Sequence, residues 1–467
     1  MNRCLLLFTI ALSTTRLSAF DIDCEPGLLS SKIEHPESIS SLVLTGTADA
    51  SDFYFLSREC RALRSLDMSA LTIAAYIGDA PGMASNYQAS AIPASVFAGS
   101  EISSVLLPAG CTVGDFAFAG SPLTTVVIPD GTTLGDGVFA HCTALAKVTL
   151  GKNVKTAHSS FRNCTALSEI EGSGNLTDIS DYAFEGCTAL KSFDFGEKLL
   201  TVGAGAFENS GLESADLSGC RNLTSVGRRA FAGMSALTSA AMPEHLASLG
   251  EGVFFGDRAL AAVTLPADLE FIPSYAFKDV SELDEMPLPE NLVSIQPYAM
   301  MGVSKVTSLA LPASLEYIGE GAMEDMTGLA DIDAVNLGAV PETGADVWSG
   351  VEQGKVDVRV SPALENSFRS ALQWQNFNIV GESMTIVETV VTDSVHGAFH
   401  GALLVLESTK LDFENIMLSD VSGRILVDLQ KVAAVAVTID TSRFDTSVYI
   451  VSGTLADGTR VALKLAR

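Results

Sequence analysis

The stretch Gly135-Asp-Gly-Val-Phe139-Ala-His-Cys142-Thr-Ala-Leu145-Ala-Lys-Val148-Thr-Leu150 decides how this chain is read, because it recurs. Phe161 with Cys164 and Phe184 with Cys187 repeat its Phe-x-x-Cys step, each followed by Thr-Ala-Leu. Extended in both directions, the pattern gives aromatic or Met anchors at Phe97, Phe118, Phe139, Phe161, Phe184, Phe207, Phe231, Phe254, Phe277, Met300 and Met323. Apolar triplets follow the anchors: Leu123, Val126, Ile128; Leu145, Val148, Leu150; Leu190, Phe193, Phe195; Val306, Leu309, Leu311. Their last two members alternate as a strand does. A further apolar residue precedes the next anchor, as in Val202-Gly203 and Ile272-Pro273, and predicts a second short strand or turn on the opposite side. One such unit cannot bury its apolar edge alone, so neighbours must stack. The expected fold is a β-rich repeat solenoid of the leucine-rich-repeat type. It has one short parallel strand per coil of about 23 residues, and a small antiparallel β-sandwich follows it.

The remainder of the chain divides around this array. Residues 1–19 read as a signal peptide: Arg3, an apolar run from Cys4 to Leu12, and the small pair Ser18-Ala19. No stretch offers the roughly 18 uninterrupted apolar residues of a membrane helix, so no transmembrane segment is expected. Residues 20–94 form an N-terminal cap, with a strand at Ser41–Leu44, a helix around Asp49–Leu63 and a Leu-x-x-Leu-x-Met strand from Leu63. The array occupies 95–345, and 346–380, with Trp348, Trp374 and Phe377, closes its open end. Residues 381–467 carry Val, Ile and Thr runs at Met384–Val391, Gly401–Glu407, Ile416–Leu418, Val435–Ile439, Val448–Val451 and Val461–Leu465, which predict the β-sandwich.

Charge and motif content narrow the function. The net charge is -28 with 56 acids against 28 Lys and Arg, which disfavours nucleic acid and anionic lipid as partners. After loss of Cys4 seven cysteines remain, without a Cys-x-x-Cys, so no metal site is expected. Cys142, Cys164 and Cys187 stack in consecutive coils, where in-register side chains point the same way and pack as buried thiols. His396 and His400 stand four apart among strand signals, with no third ligand nearby. No nucleophile elbow, phosphate-binding loop or dinucleotide fingerprint is present, and the chain is read as a non-enzyme without a cofactor.

The strand positions between inward residues are the candidate binding positions: Lys147 and Thr149; Glu169 and Glu171; Ser192 and Asp194; Ser214 and Asp216. Such side chains make an accessible sheet face of the kind repeat proteins use for binding.

The unit Ile/Leu-Gly-x-x-Ala/Val-Phe-x-x-Cys-x-x-Leu-x-x-Val-x-Leu-Pro resembles the BspA-like leucine-rich repeat proteins of bacterial surfaces. Leu249-Gly-Glu-Gly-Val-Phe254 with Leu260-Ala-Ala-Val-Thr-Leu-Pro266 is close to it. Met300 and Met323 depart from it at the anchor. The resemblance implies a secreted protein displayed on the outer cell surface that adheres to an extracellular protein or glycan, of host matrix or of other bacteria. The alternative is a structural surface scaffold without a discrete ligand. The tail, with Asp420-Val-Ser-Gly-Arg424, Ile439-Asp440, Val448-Tyr-Ile-Val451 and Lys464-Leu465, resembles a type IX secretion sorting domain, which implies secretion machinery as a further partner.

Overall fold

A computed structural model of the protein describes residues 20–79, 82–246, 248–381, 395–400, 403–408, 412–420, 425–442, 448–456 and 460–466. The expected leader, the Met384–Val391 run and residues 421–424 of the sorting-like tail lie outside the described residues. The chain divides into two compact units, with the repeat array in the first and the C-terminal antiparallel sheets in the second.

The array is a parallel β-solenoid. Seven strands form its first sheet in sequence order: Phe20–Cys24, Ser41–Ala48, Ser65–Ile73, Ser104–Leu106, Thr125–Ile128, Lys147–Leu150 and Glu169–Glu171. The helix Ala50–Glu59 lies in the entry cap, where Asp49 caps its first amides through Ser51 N–H at 2.8 Å. Asp52 accepts from the backbone of Gly27, Leu29 and Asp49, tying the helix start to the preceding loop. The second side of the coils carries two-residue strands, as at Thr201–Val202 and Ser225–Val226, where the apolar-plus-Gly pairs predict them. Trp348, Trp374 and Phe377 are buried against one another, with centroids 5.1–5.8 Å apart.

The strand row is broken twice, and there the expectation of a strand in every coil fails. Residues 190–195 carry no strand, so Ser192 and Asp194 are not on one. Phe193 and Phe195 both lie against the Phe207 ring, at 5.0 and 5.6 Å, where neighbouring coils place the smaller Ile170 and Ala215. Two rings of that bulk hold the backbone off the roughly 4.8 Å spacing that pairing requires. The second break lies at 283–289, where Pro287 and Pro289 have no amide hydrogen to donate.

The anchors explain the regularity. Phe97 through Phe277 are all buried, and consecutive rings stack with centroids 5.4–6.0 Å apart and planes within 26°. Met300 and Met323 continue the column fully buried. Each anchor amide donates to the residue just before the next anchor, as Phe139 N to Ser160 O at 2.9 Å and Phe184 N to Ala206 O at 2.8 Å. The chain turns around the anchor through two left-handed residues. Two places before it, φ lies between 54° and 61° at Ser95, Phe116, Gly137, Ser159, Tyr182, Gly205, Arg229, Gly252, Tyr275, Tyr298, Gly321 and Asp346. Two places after it, φ is again positive, mostly at Gly, Asn or Asp, which accept that conformation readily.

Three places after the anchor runs a second internal column. Cys142, Cys164 and Cys187 are buried free thiols, as expected, and each donates to the carbonyl of the preceding anchor: Phe118 at 3.2 Å, Phe139 at 3.1 Å and Phe161 at 3.2 Å. Burial pushes the Cys142 thiol up to about 11 and Cys187 up to about 12, which keeps both protonated as donors. Ser121 fills the same place and bonds the Phe97 carbonyl at 3.2 Å. Asp257 also stands in this column, fully buried. Its Oδ1 accepts from Met234 N–H at 2.7 Å, while Oδ2 has no hydrogen-bond partner among the described residues. Burial pushes its carboxyl up to about 9, outweighing the backbone amides of Met234 and Gly233 and the charge of Arg229.

In the second unit, Val395–His400, Leu403–Ser408 and Ala436–Asp440 form one antiparallel sheet, and Phe413–Asp420, Ile425–Ala434, Val448–Leu455 and Arg460–Ala466 form another. Leu404, Leu406 and Ile439 from the first share a core with Ile416, Leu418, Tyr449 and Val451 from the second, which makes a sandwich. The strands Val395–His400 and Ile425–Ala434 add to those anticipated. His396 and His400 lie on a strand rather than a helix.

Two predictions follow from the columns. Phe184→Ala removes a fully packed ring and lowers stability by about 3–5 kcal/mol, measured as a shifted chemical-denaturation midpoint with the β-sheet circular dichroism retained. Asp257 has a folded pKa above its unfolded value near 3.9, so the folded state holds the extra proton and loses stability as pH rises between the two. Asp257→Asn is therefore expected to raise the melting temperature at pH 7–8, with the gain shrinking as pH falls towards 4.

Candidate binding surface

The first sheet builds the candidate surface. Alternation turns Val126, Ile128, Val148 and Leu150 inward, and parallel register lines up the outward residues in two columns. One runs Ser104, Thr125, Lys147, Glu169; the other runs Leu106, Val127, Thr149, Glu171. Leu106 and Val127 are directly paired and 42% and 49% exposed, which makes them an apolar step in the face. These two escape a search for polar outward positions. Strict alternation in Thr-Val-Val-Ile, which leaves one Val facing out, is the signal that finds them.

Beside them lies a charged network. Lys147 Nζ bonds Glu169 Oε1 at 2.9 Å and Glu171 Oε1 at 2.7 Å, and Thr149 Oγ1 donates to Glu171 Oε2 at 3.0 Å. The two carboxylates hold the Lys147 ammonium pKa above its ordinary value, with Glu171 contributing most. Lys147, and then Thr149, hold Glu171 below the usual carboxylate range. Lys147 and Glu171 thus stay charged at neutral pH, and with Glu169 they form one hydrogen-bonded group on a strand pair.

The remaining expected positions behave differently. Ser192 and Asp194 are exposed but sit in the irregular coil, and Asp194 accepts from Gly196 N–H at 3.1 Å. Ser214 and Asp216 belong to a separate three-stranded sheet, Ser214–Asp216, Ser239–Ala241 and Ala262–Thr264. Asp216 accepts from the hydroxyl and amide of Ser218 at 2.6 and 3.0 Å, and these bonds lower its pKa. Asp194 therefore shapes a turn within the strandless coil and Asp216 a turn at a strand end, whereas Lys147, Thr149, Glu169 and Glu171 share one continuous face. Among the described residues no group of three or more His, Cys, Asp and Glu gathers to hold a metal. No helix among them is long and apolar enough to cross a membrane.

Fold and face together define a leucine-rich repeat solenoid. The family model described as the BspA type leucine rich repeat region matches residues 90–213, 154–280 and 201–330, just over half of the chain. The chain belongs to this family of repeat proteins. Among solved structures it is similar to a leucine-rich repeat protein from Bacteroides ovatus, with 19% identity and a TM-score of 0.49, covering 70% of this chain and 91% of that one. Another from Eubacterium ventriosum shows 17% identity and a TM-score of 0.44, over 68% and 84% of the two chains. A leucine rich cell surface protein from Faecalibacterium prausnitzii shows 18% identity and a TM-score of 0.24, over 56% and 85%. No curated protein matches the chain significantly.

Proposed function

We propose that this chain is an exported surface protein that binds an extracellular protein through the face of its first sheet. The observation that carries the reading is the exposed Leu106–Val127 pair lying in register beside the Lys147–Glu169–Glu171 network. Protein interfaces combine an apolar centre with a polar rim, and binding energy concentrates in a few central side chains. Leu106 and Val127 supply such a centre, and the charged network supplies the rim that selects orientation. Membership in the BspA type family supports a protein-binding role at the cell surface.

Export is assigned to the leader at residues 1–19, and passage to the surface to the C-terminal sandwich. In support of sorting, the motif strand Val448–Leu455 pairs antiparallel with Arg460–Ala466, so that Ile450 faces Lys464 and Tyr449 faces Leu465. Tyr449 is buried in the sandwich core.

In a surface-based assay against immobilised matrix and bacterial surface proteins, the Leu106→Glu/Val127→Glu double variant is expected to bind its partner at least about tenfold more weakly, ~1.4 kcal/mol. Its β-sheet circular dichroism should be retained, with the melting temperature lowered only by the small cost of two like charges set opposite each other across the strand pair. Undiminished binding would refute the strand-face assignment, and absence of saturable binding to every member of the panel would favour a scaffold role. Deleting residues 401–467 is expected to leave the protein in the periplasm, read by fractionation and surface proteolysis; normal display of the truncated chain would remove the sorting role.

A further inference from the structure

The left-handed position before each anchor forms a column of its own along the coil edge, away from the strand face. In it a bulky side chain lies across the glycine of the next coil. A Cβ on Gly137 would sit 2.3 Å from the Phe116 ring, one on Gly205 2.5 Å from the Tyr182 ring, and one on Gly321 2.5 Å from the Tyr298 ring. Gly252 breaks this pattern. The preceding coil presents Arg229, whose guanidinium is drawn to Glu208 by bonds of 3.0 and 2.8 Å and lies 4.8 Å over the Phe255 ring. A Cβ on Gly252, which is itself buried, would meet only ordinary contacts, the Arg229 stem at 3.4 Å and Cβ of Phe255 at 3.5 Å, so no ring lies across it and a cleft opens beside it.

The opening is a notch of about 190 Å³ lined by Arg228, Arg229, Glu251, Gly252, Phe255 and Tyr275. One face of Tyr275 is stacked on Tyr298, with centroids 5.4 Å apart and planes at 11°. Its Cβ approaches Gly252 from the following coil, so Tyr275 forms the wall opposite Arg229. Lys278 Nζ stands 6.0 Å from the Phe255 centroid and 5.8 Å from that of Tyr275, and it forms no ion pair among the described residues. Arg228 is only loosely paired, at 3.8 Å from Glu251.

The geometry points to a binding site for a carboxylate-bearing pyranose, a uronic or sialic acid unit of a glycan. The notch holds one sugar ring and is smaller than the roughly 300 Å³ or more of drug-sized pockets. Tyr275 and Phe255 offer aromatic surface to the apolar face of the ring. Arg228 and Lys278 answer the carboxylate, a local positive pair on a chain of net charge -28, and Glu251 accepts from ring hydroxyls. Charges beyond about 8 Å are screened at physiological salt, so the nearby groups decide the interaction, and Arg228, Arg229 and Lys278 outnumber Glu251 and Glu208 by one positive charge. This inference does not rest on the strand-face reading, because a different part of the coil makes the site and either assay can fail alone.

The test is calorimetric titration of the full chain with a hyaluronan tetrasaccharide, with 3′-sialyllactose, and with neutral chitotetraose. The two acidic probes separate the uronic from the sialic source. At least one is expected to bind saturably, more weakly as salt rises, and at least about tenfold more tightly than chitotetraose. Gly252→Tyr fills the notch with a residue that the same column already carries as Tyr182, Tyr275 and Tyr298, so the β-sheet circular dichroism should be retained, with a lowered melting temperature from the left-handed backbone, while binding is lost. Lys278→Gln is expected to weaken the acidic probe about tenfold and leave the neutral one unchanged. Failure of both acidic probes to bind, equal affinity for chitotetraose, or full affinity in the Gly252→Tyr variant would each overturn the proposal.

Discussion

The stacking of one buried phenylalanine per coil is the constraint on which the rest of the structure depends. Rings 5.4–6.0 Å apart are spaced somewhat wider than hydrogen-bonded parallel strands, so they stack with an offset while the backbone around them keeps its pairing. To carry the ring inward and return within a few residues, the chain uses a left-handed residue on each side of the anchor. That turn places the residue three positions later beside the stack, where a thiol or hydroxyl meets the preceding anchor's carbonyl. The small donors Ser121, Cys142, Cys164 and Cys187 suit this place because they fill little volume and satisfy a buried acceptor. Asp257 occupies the same place with a charge-bearing group, and burial resolves the conflict by keeping it protonated.

The same stack divides the coil into an inside and an outside. Everything inward of the strands holds the coils together, which leaves the outward strand positions and the turns as the surface open to a partner. On the strand side, parallel register turns a residue chosen once per coil into a column, which converts single side chains into stripes of apolar, charged or small character. On the turn side, a side chain in one coil covers the glycine of the next, and at Gly252 the Arg229 stem takes the place of a ring. The two surfaces differ in chemistry because they are built from different positions of the same repeat.

Much of this was legible in the chain itself. The Phe anchors, the thiol column and the alternating strand residues all follow from spacing, because burial at a fixed period leaves a direct mark on composition. The outward strand residues were legible as a class. The readings of Ser192 and Asp194 as strand residues failed, since alternation cannot register that Phe193 and Phe195 are too bulky for the local coil spacing. Leu106 and Val127 are not legible as outward residues, because an apolar residue within an apolar run looks like core until the register is known.

Repetition in one dimension settles which residues are buried between stacked neighbours, and so gives a periodic array followed by a β-rich tail. Contacts in three dimensions settle which outward residues share one sheet, where that sheet is interrupted, and where Arg229 replaces a ring over the next coil's glycine. These depend on contacts between residues some 20 positions apart, whose side-chain volumes and ion pairs act across coils and leave no period in the chain.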